Sequence, residues 1–405
     1  MGGSTRWLSI IGMGEDGLDG LSPAAKHLIA QADFIVGGAR HLALAGPVRA
    51  QTLAWPSPVS AAFPEIAARR GTPVAVLASG DPFYFGIGSL LAQIAGADEM
   101  LCLPAPSAFS LAASRLGWAL QDCALISLHG RALETLLPHV QPGARILALS
   151  WDGTTPRRAA QFLRARGCGG SRLTVLEAKG GPREKITECT ADTGFDGVVD
   201  PLNLLAIDVV CAADARILPL AAGLPDHYFE HDGQITKRHI RAITLSALAP
   251  RKGELVWDIG SGSGSVAIEW MLRHPANRAI AVEKNPERAA RIERNSANLG
   301  VPGLVIRVGR APEALARLDS PDAVFIGGGI SREKIFDAAW AALKPGGRLA
   351  ANAVTLEGQA ALIRRFHTHG GDLSTIAVSQ AEPVGAMHGW RPTMPVTHYC
   401  VVKPA

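Results

Sequence analysis

Leu255-Val-Trp-Asp-Ile-Gly-Ser-Gly-Ser-Gly-Ser265 is the stretch on which the fold turns. Five mostly apolar residues, Leu255–Ile259, read as a buried strand, and Val266–Leu272 reads as a helix. Between them Gly260, Gly262 and Gly264 alternate with serines, so backbone N–H groups and a helix N-terminus can approach a ligand closely. The run is G-x-G-x-G preceded by Asp258, and it lacks the G-x-G-x-x-G spacing of dinucleotide sites. A pyrophosphate needs uncovered N–H groups. A zwitterionic amino acid carrying a cation also needs a carboxylate, and Asp258 supplies one.

Outward from this turn, further strand ends carry suitable residues in order. Arg278–Val282 is a second strand ending in Glu283, placed to accept hydrogen bonds from a ribose. Leu304–Val308 ends in Gly309-Arg-Ala-Pro312, where an adenine would lie, and Ala323-Val-Phe-Ile-Gly-Gly-Gly329 ends in a glycine loop suited to a reacting group. Upstream, Lys237, Arg238, His239 and Arg241 crowd the first turns of a helix whose Ile240, Ile243 and Leu248 are expected to face the core. Cations oppose the macrodipole at a helix N-terminus. A solvated helix face is the plain explanation of such a cluster; an anionic substrate is the functional one, and the expectation here is a grip on substrate carboxylates.

The N-terminal half has its own strand-end loops. Trp7–Ile11 runs into Ile11-Gly-Met-Gly-Glu-Asp-Gly17, and Ser22-Pro23 opens the next helix as N-cap and first helical residue. Val74–Leu77 is followed by Ala78-Ser-Gly-Asp-Pro-Phe83, and Met100–Leu103 by Pro104-Ala-Pro-Ser107. Taken singly, each loop is as consistent with a tight turn as with a ligand, and Asp81 could simply pin its own loop.

Together these motifs carry a resemblance. From about Gly233 onward the chain resembles class I methyltransferases of the precorrin-6B/6Y type, on Gly233-Gln-Ile-Thr-Lys-Arg-His-Ile-Arg-Ala242, Asp258–Ser265, Glu283-Lys284, Gly309-Arg-Ala-Pro312, Phe325-Ile-Gly-Gly328 and Ala353-Val-Thr-Leu-Glu357. Residues 5–211 resemble class III tetrapyrrole methylases, on the three loops above and on Asp152-Gly-Thr-Thr-Pro156, Glu177-Ala-Lys-Gly-Gly-Pro-Arg-Glu184 and Leu204-Leu-Ala-Ile-Asp208. Glu15-Asp16 stands where many class III relatives have Pro-Gly.

The resemblance implies an α/β protein: an N-terminal two-subdomain tetrapyrrole methylase fold and a C-terminal Rossmann-like class I fold. It implies one S-adenosyl-L-methionine per domain. The N-terminal one would be held by Gly12, Gly14, Ser79, Gly80, Asp81, Pro82, Phe83, Pro106 and Ser107. The C-terminal one would be held by Thr236, Asp258, Gly260, Ser261, Gly262, Ser263, Gly264, Ser265, Glu283, Lys284, Arg310, Ala311, Gly327 and Gly328. The implied reaction is methylation of precorrin-6B at C5 in the first domain. Methylation at C15 with decarboxylation of the C12 acetate belongs to the second, and the two together give precorrin-8 on the way to cobalamin. Arg183 and Lys185 fall in a region that flanks the substrate in the family.

Composition sets the frame. The 405 residues favour two domains, expected at 1–211 and 227–405 with an exposed linker over 212–226. Strand and helix signals alternate throughout, which points to largely parallel sheets. A net charge of +4 without a basic stripe argues against nucleic acid, and so against an RNA methyltransferase. The glycine spacing argues against an oxidoreductase, while a ligand sensor without turnover stays open. No apolar run reaches the length of a membrane span. The six cysteines are scattered without metal-ligand spacing, so reduced cytoplasmic thiols and no metal are expected. A homo-oligomer is also expected. No Ser/His/Asp or Cys/His set is visible. Methyl transfer by in-line displacement needs alignment and dryness more than a base.

Overall fold

The computed structural model describes residues 6–404. The chain forms two compact units, Met1–Leu133 with His139–Arg216, and Glu134–Pro138 with Ile217–Ala405.

The first unit holds two five-stranded sheets. One is wholly parallel, in the order Gln51–Ala54, Phe34–Gly37, Val74–Ser79, Leu8–Met13, Met100–Leu103. Leu8–Met13 is buried at all six positions, as a parallel strand covered on both faces must be. The other sheet runs Cys123–Ser127, Arg145–Leu149, Asn203–Asp208, Arg172–Glu177, Lys185–Thr190. Only its first pair is parallel, so this sheet departs from the largely parallel pattern expected. The return strand Asn203–Asp208 is as apolar as its neighbours, so nothing in its pattern betrays its direction. The helix Ala108–Leu116 packs Phe109, Ala112 and Ala113 against the second sheet.

The second unit has a seven-stranded sheet, ordered Val305–Val308, Arg278–Glu283, Leu255–Ile259, Ala323–Ile326, Arg348–Ala353, Val396–Val402, Asp372–Ile376. Five strands are parallel, and Val396–Val402 is inserted antiparallel between Arg348–Ala353 and Asp372–Ile376. Ser379–Val384 and Met387–Pro392 form a separate hairpin. The anticipated helix is Arg238–Leu248; Ile240 and Leu248 are buried, but Ile243 is 40% exposed and is not a core residue.

Two expectations are corrected. Segment 212–226 is not a free linker: the boundary falls between Arg216 and Ile217, and Leu218 and Leu224 are buried. Gly223 and Leu224 both donate backbone N–H groups to the Glu269 carboxylate, which ties the segment down. The cysteines are not all reduced either, since Cys168 and Cys211 form a disulfide. They lie 43 residues apart in sequence, and no spacing rule connects them.

Candidate active sites

In the second unit the strand ends converge on Asp258 and Glu283. Asp258 is buried; its Oδ2 accepts from Ser261 Oγ at 2.8 Å and from the Ala267 N–H at 3.1 Å, pinning the glycine turn to the following helix. Its Oδ1 is buried without a hydrogen-bond partner. Burial pushes this carboxyl up to about 6, against the pull of the Ser261 and Ala267 hydrogen bonds. An orphaned, desolvated carboxylate oxygen suits a cationic ligand, so the residues present fit a sulfonium amino acid. The buried Glu283 accepts from the Gly262 N–H at 2.9 Å and the Asn285 N–H at 3.0 Å.

Gly262 has φ +62°, and a Cβ there would sit 3.0 Å from the Gln234 carbonyl oxygen. The lead-in loop around Gln234 and Thr236 therefore covers the turn. The Gly260 and Gly328 backbones abut, and the Gly309 N–H bonds the Glu283 carbonyl at 2.9 Å, which brings Gly327, Gly328, Arg310 and Ala311 to the same sheet edge. Ser263 is buried with its hydroxyl unpartnered, Ser265 starts the helix, and Lys284 is exposed.

The cation cluster divides. Lys237, Arg238 and His239 are exposed at the helix start, with Arg238 Nε donating to the Gly223 carbonyl at 2.9 Å. Arg241 is wholly buried. It meets Glu269 at 2.5 Å, Asp226 at 3.1 Å and the Thr236 and Leu224 carbonyls, and it lies over the Phe229 ring. Arg241 cannot reach a substrate carboxylate, because every face of its guanidinium is already engaged. Sequence position alone put it with its neighbours; helix phase turns it inward. Sequence reading also missed a directed chain at the same edge. His398 Nδ1 meets Asn352 Oδ1 at 2.7 Å, Asn352 Nδ2 donates to Thr244 at 2.9 Å, and Thr244 donates to the Ile240 carbonyl.

In the first unit the three loops also meet. The Gly80 N–H bonds the Met13 carbonyl and the Ala105 N–H bonds the Gly80 carbonyl, both at 3.1 Å. A Cβ on Gly12 would lie 2.0 Å from the Gly80 oxygen, so only glycine permits this approach. Ser107 caps the next helix by accepting from Ser110 N–H, leaving Pro106 exposed beside it. Asp81 does pin its own loop, accepting from the Phe83 N–H at 2.9 Å after the buried Pro82. Ser79 accepts from Arg40 at 2.9 Å and lies 3.0 Å from His41, whose imidazole burial and Arg40 together lower to about 4. Arg40 and Arg183 both meet Glu15, next to Gly14, and Arg183 also pairs with Asp200; Lys185 pairs with Glu177. The two arginines were not expected to share one carboxylate.

Two glycine-lined strand-end clusters, one on a tetrapyrrole-methylase-like unit and one on a Rossmann-like unit, are the arrangement of a methyltransferase. Residues 8–193 match the family described as tetrapyrrole (corrin/porphyrin) methylases, and residues 227–403 match the precorrin methyltransferase domain. The chain is 56% identical over 398 residues to a Sinorhizobium protein named precorrin-6Y C(5,15)-methyltransferase [decarboxylating], covering 98% of this chain and 96% of that one. It is 39% identical over 404 residues to a Mycobacterium tuberculosis protein of the same name, covering 97% and 99%. A solved C-terminal domain of precorrin-6Y C5,15-methyltransferase from Rhodobacter capsulatus is 46% identical, covers 46% of this chain and all of its own, and superposes with a TM-score of 0.44. The chain belongs to the precorrin-6Y C(5,15)-methyltransferase (decarboxylating) family. Methyltransferases of this family use S-adenosylmethionine, which supplies a methyl group on a sulfonium.

A cationic donor held at the orphaned Asp258 would bind in a pH-dependent way. The folded carboxyl lies above its ordinary value of 3.8, so the apo fold is favoured at low pH and loses that contribution as pH rises through about 6. Cationic cofactor reverses the sign, because it binds the ionised form. Affinity at this site is expected to fall by up to about tenfold per pH unit below 6. In Asp258→Asn the slope should vanish. Calorimetry between pH 5 and 8 checks this, and an unchanged slope in Asp258→Asn would assign it to another group.

Proposed function

We propose that this chain methylates precorrin-6B at C5 and C15 and removes the carboxyl group of the C12 acetate, giving precorrin-8 in cobalamin biosynthesis. The first unit acts at C5 and the second at C15 with decarboxylation, each with its own S-adenosylmethionine. The observation that supports this reading is the convergence of glycine-lined strand-end loops in each unit, around Gly12/Gly80/Ala105 and around Asp258/Glu283.

The chemistry asks little of the side chains. In-line displacement requires alignment and exclusion of water. At the second site the Gly262 and Asn285 N–H groups hold Glu283 ready for ribose hydroxyls, and Asp258 meets the cationic end of the donor. C15 loses a proton as it gains methyl, and the acetate methylene gains one as carbon dioxide leaves. The electron pair of the breaking bond passes into the conjugated macrocycle, which is its own sink. Lys237, Arg238 and His239 hold other carboxylates of the substrate, so that the departing one is left poorly solvated.

The reading extends to assembly and place. The hairpin exposes Val384, Met387 and Trp390, an apolar surface suited to a second copy of the chain, and light scattering in solution should read a homo-oligomer. No helix among the described residues is long and apolar enough to cross a membrane, and the cytoplasm is the proposed place of action.

Incubation with precorrin-6B and labelled S-adenosylmethionine, followed by product mass, tests the function. The native chain should add two methyl groups and lose one carbon dioxide. Asp81→Ala frees the Phe83 N–H and loosens the second loop of the first site, so C5 methylation should fall by about tenfold or more while the C15 product persists. Equal loss of both steps would contradict the division of labour.

A further inference from the structure

Tyr84 and Phe85 are 40% and 47% exposed, and the loop that carries them is not slack. The Tyr84 N–H bonds the Asp81 carbonyl at 3.1 Å, and the Gly88 N–H bonds the Pro82 carbonyl at 2.7 Å. Phe85 has φ +55°, the left-handed region that a bulky side chain rarely adopts. Rigid aromatic rings in water beside a strained backbone are not explained by the core.

The ring geometry shows where they lie. Tyr84 meets Phe85 edge-on at 5.0 Å between centroids, and both meet Phe109, at 5.4 and 5.8 Å. Phe109 is buried against the second sheet of the first unit, whereas the loop itself leaves the first sheet next to Gly80. The rings therefore bridge the two sheets beside the three converging loops. From the second sheet Arg131 reaches over the Phe85 ring at 5.9 Å. Arg131 is exposed, and no carboxylate among the described residues pairs with it.

We infer that Tyr84, Phe85 and Arg131 form the substrate platform of the first unit, with the rings against the face of the macrocycle and the guanidinium on a peripheral carboxylate. This rests on the tetrapyrrole reading above. A flat conjugated ring system with carboxylates at its rim matches aromatic area flanked by a free cation, and few other small ligands need both. Even in contact with each other and with Phe109, both rings keep a large part of their surface exposed to a ligand. Tyr84 and Phe85 are accordingly specificity-determining residues of the C5 step.

The test measures steady-state C5 methylation of precorrin-6B by the full chain. Phe85→Gly relieves the left-handed strain and removes only the ring, so folding is retained, and thermal melting verifies this. Phe85→Gly and Tyr84→Ala are each expected to raise KM for the tetrapyrrole about 10–100-fold with kcat little changed, and Arg131→Met about tenfold. Tyr84→Phe keeps the ring and should reverse most of the KM increase of Tyr84→Ala. S-adenosylmethionine affinity and the C15 product should not move. Unchanged KM in Phe85→Gly and Tyr84→Ala overturns the platform, and so does weakened S-adenosylmethionine binding with unchanged KM, which would make the loop a cofactor clamp. Absence of any methylation by the native chain would overturn the functional reading itself.

Discussion

Gly262→Arg is expected to abolish C15 methylation and carbon dioxide loss together, by more than about 100-fold, while C5 methylation continues. Three observations at this position add up. Its φ of +62° is disfavoured for any residue with a Cβ, at a cost of about 1–2 kcal/mol. Its N–H holds the Glu283 carboxylate at 2.9 Å, so a shifted backbone misplaces the group proposed for the ribose. Its Cβ would lie 3.0 Å from the Gln234 carbonyl, which leaves a guanidinium nowhere to go except into the ligand space. Gly262→Ala carries the same backbone strain without the cation and should fall between Arg and native. Product mass separates the two methylations. Carbon dioxide loss that persisted in Gly262→Arg but disappeared in Asp81→Ala would reverse the assignment of steps to units.

Arg241→Met is expected to destabilise the second unit by about 3–5 kcal/mol, the cost of leaving a buried charge without its partner. Glu269 is fully buried, and its other contacts are the Gly223 and Leu224 N–H groups. Without Arg241 these two donors alone must hold the carboxylate. The melting transition of the unit should drop by roughly 6–20 °C. Glu269→Gln should be harmful by itself but should recover part of the loss in the double variant, since the pair and not either residue is what the fold uses. The experiment also decides between two roles. If Arg241→Met left the melting temperature alone and raised only KM for the tetrapyrrole, the residue would be a substrate ligand after all. Melting curves and KM are both needed for that distinction.

Glycine runs, strand ends and their order were legible because they are local. Leu255–Ser265 encodes strand, left-handed turn and helix start within eleven consecutive residues, and the structure places Asp258, the Gly260–Gly264 turn and Glu283 at one sheet edge as the pattern requires. The same held for Ser22, whose hydroxyl caps its helix at 3.2 Å. The family was likewise written in short motifs, and whole-chain similarity bears it out.

What depended on three dimensions was not legible. Lys237, Arg238, His239 and Arg241 read as one cluster, yet a 3.6-residue turn rotates Arg241 into the interior, where Glu269, 28 positions away, receives it. The segment 212–226 is rich in alanine and proline and reads as linker, but Glu269 and Arg241 bind its backbone on both sides. Cys168 and Cys211 meet across 43 residues, and Glu15 gathers Arg40 and Arg183 from separate elements. Sequence by itself determined the strand ends, their glycine turns and the helix starts that follow, because backbone conformation and glycine placement are short-range. Which charges face a ligand and which are consumed inside was decided by tertiary structure alone, because burial and pairing join residues that no local pattern connects.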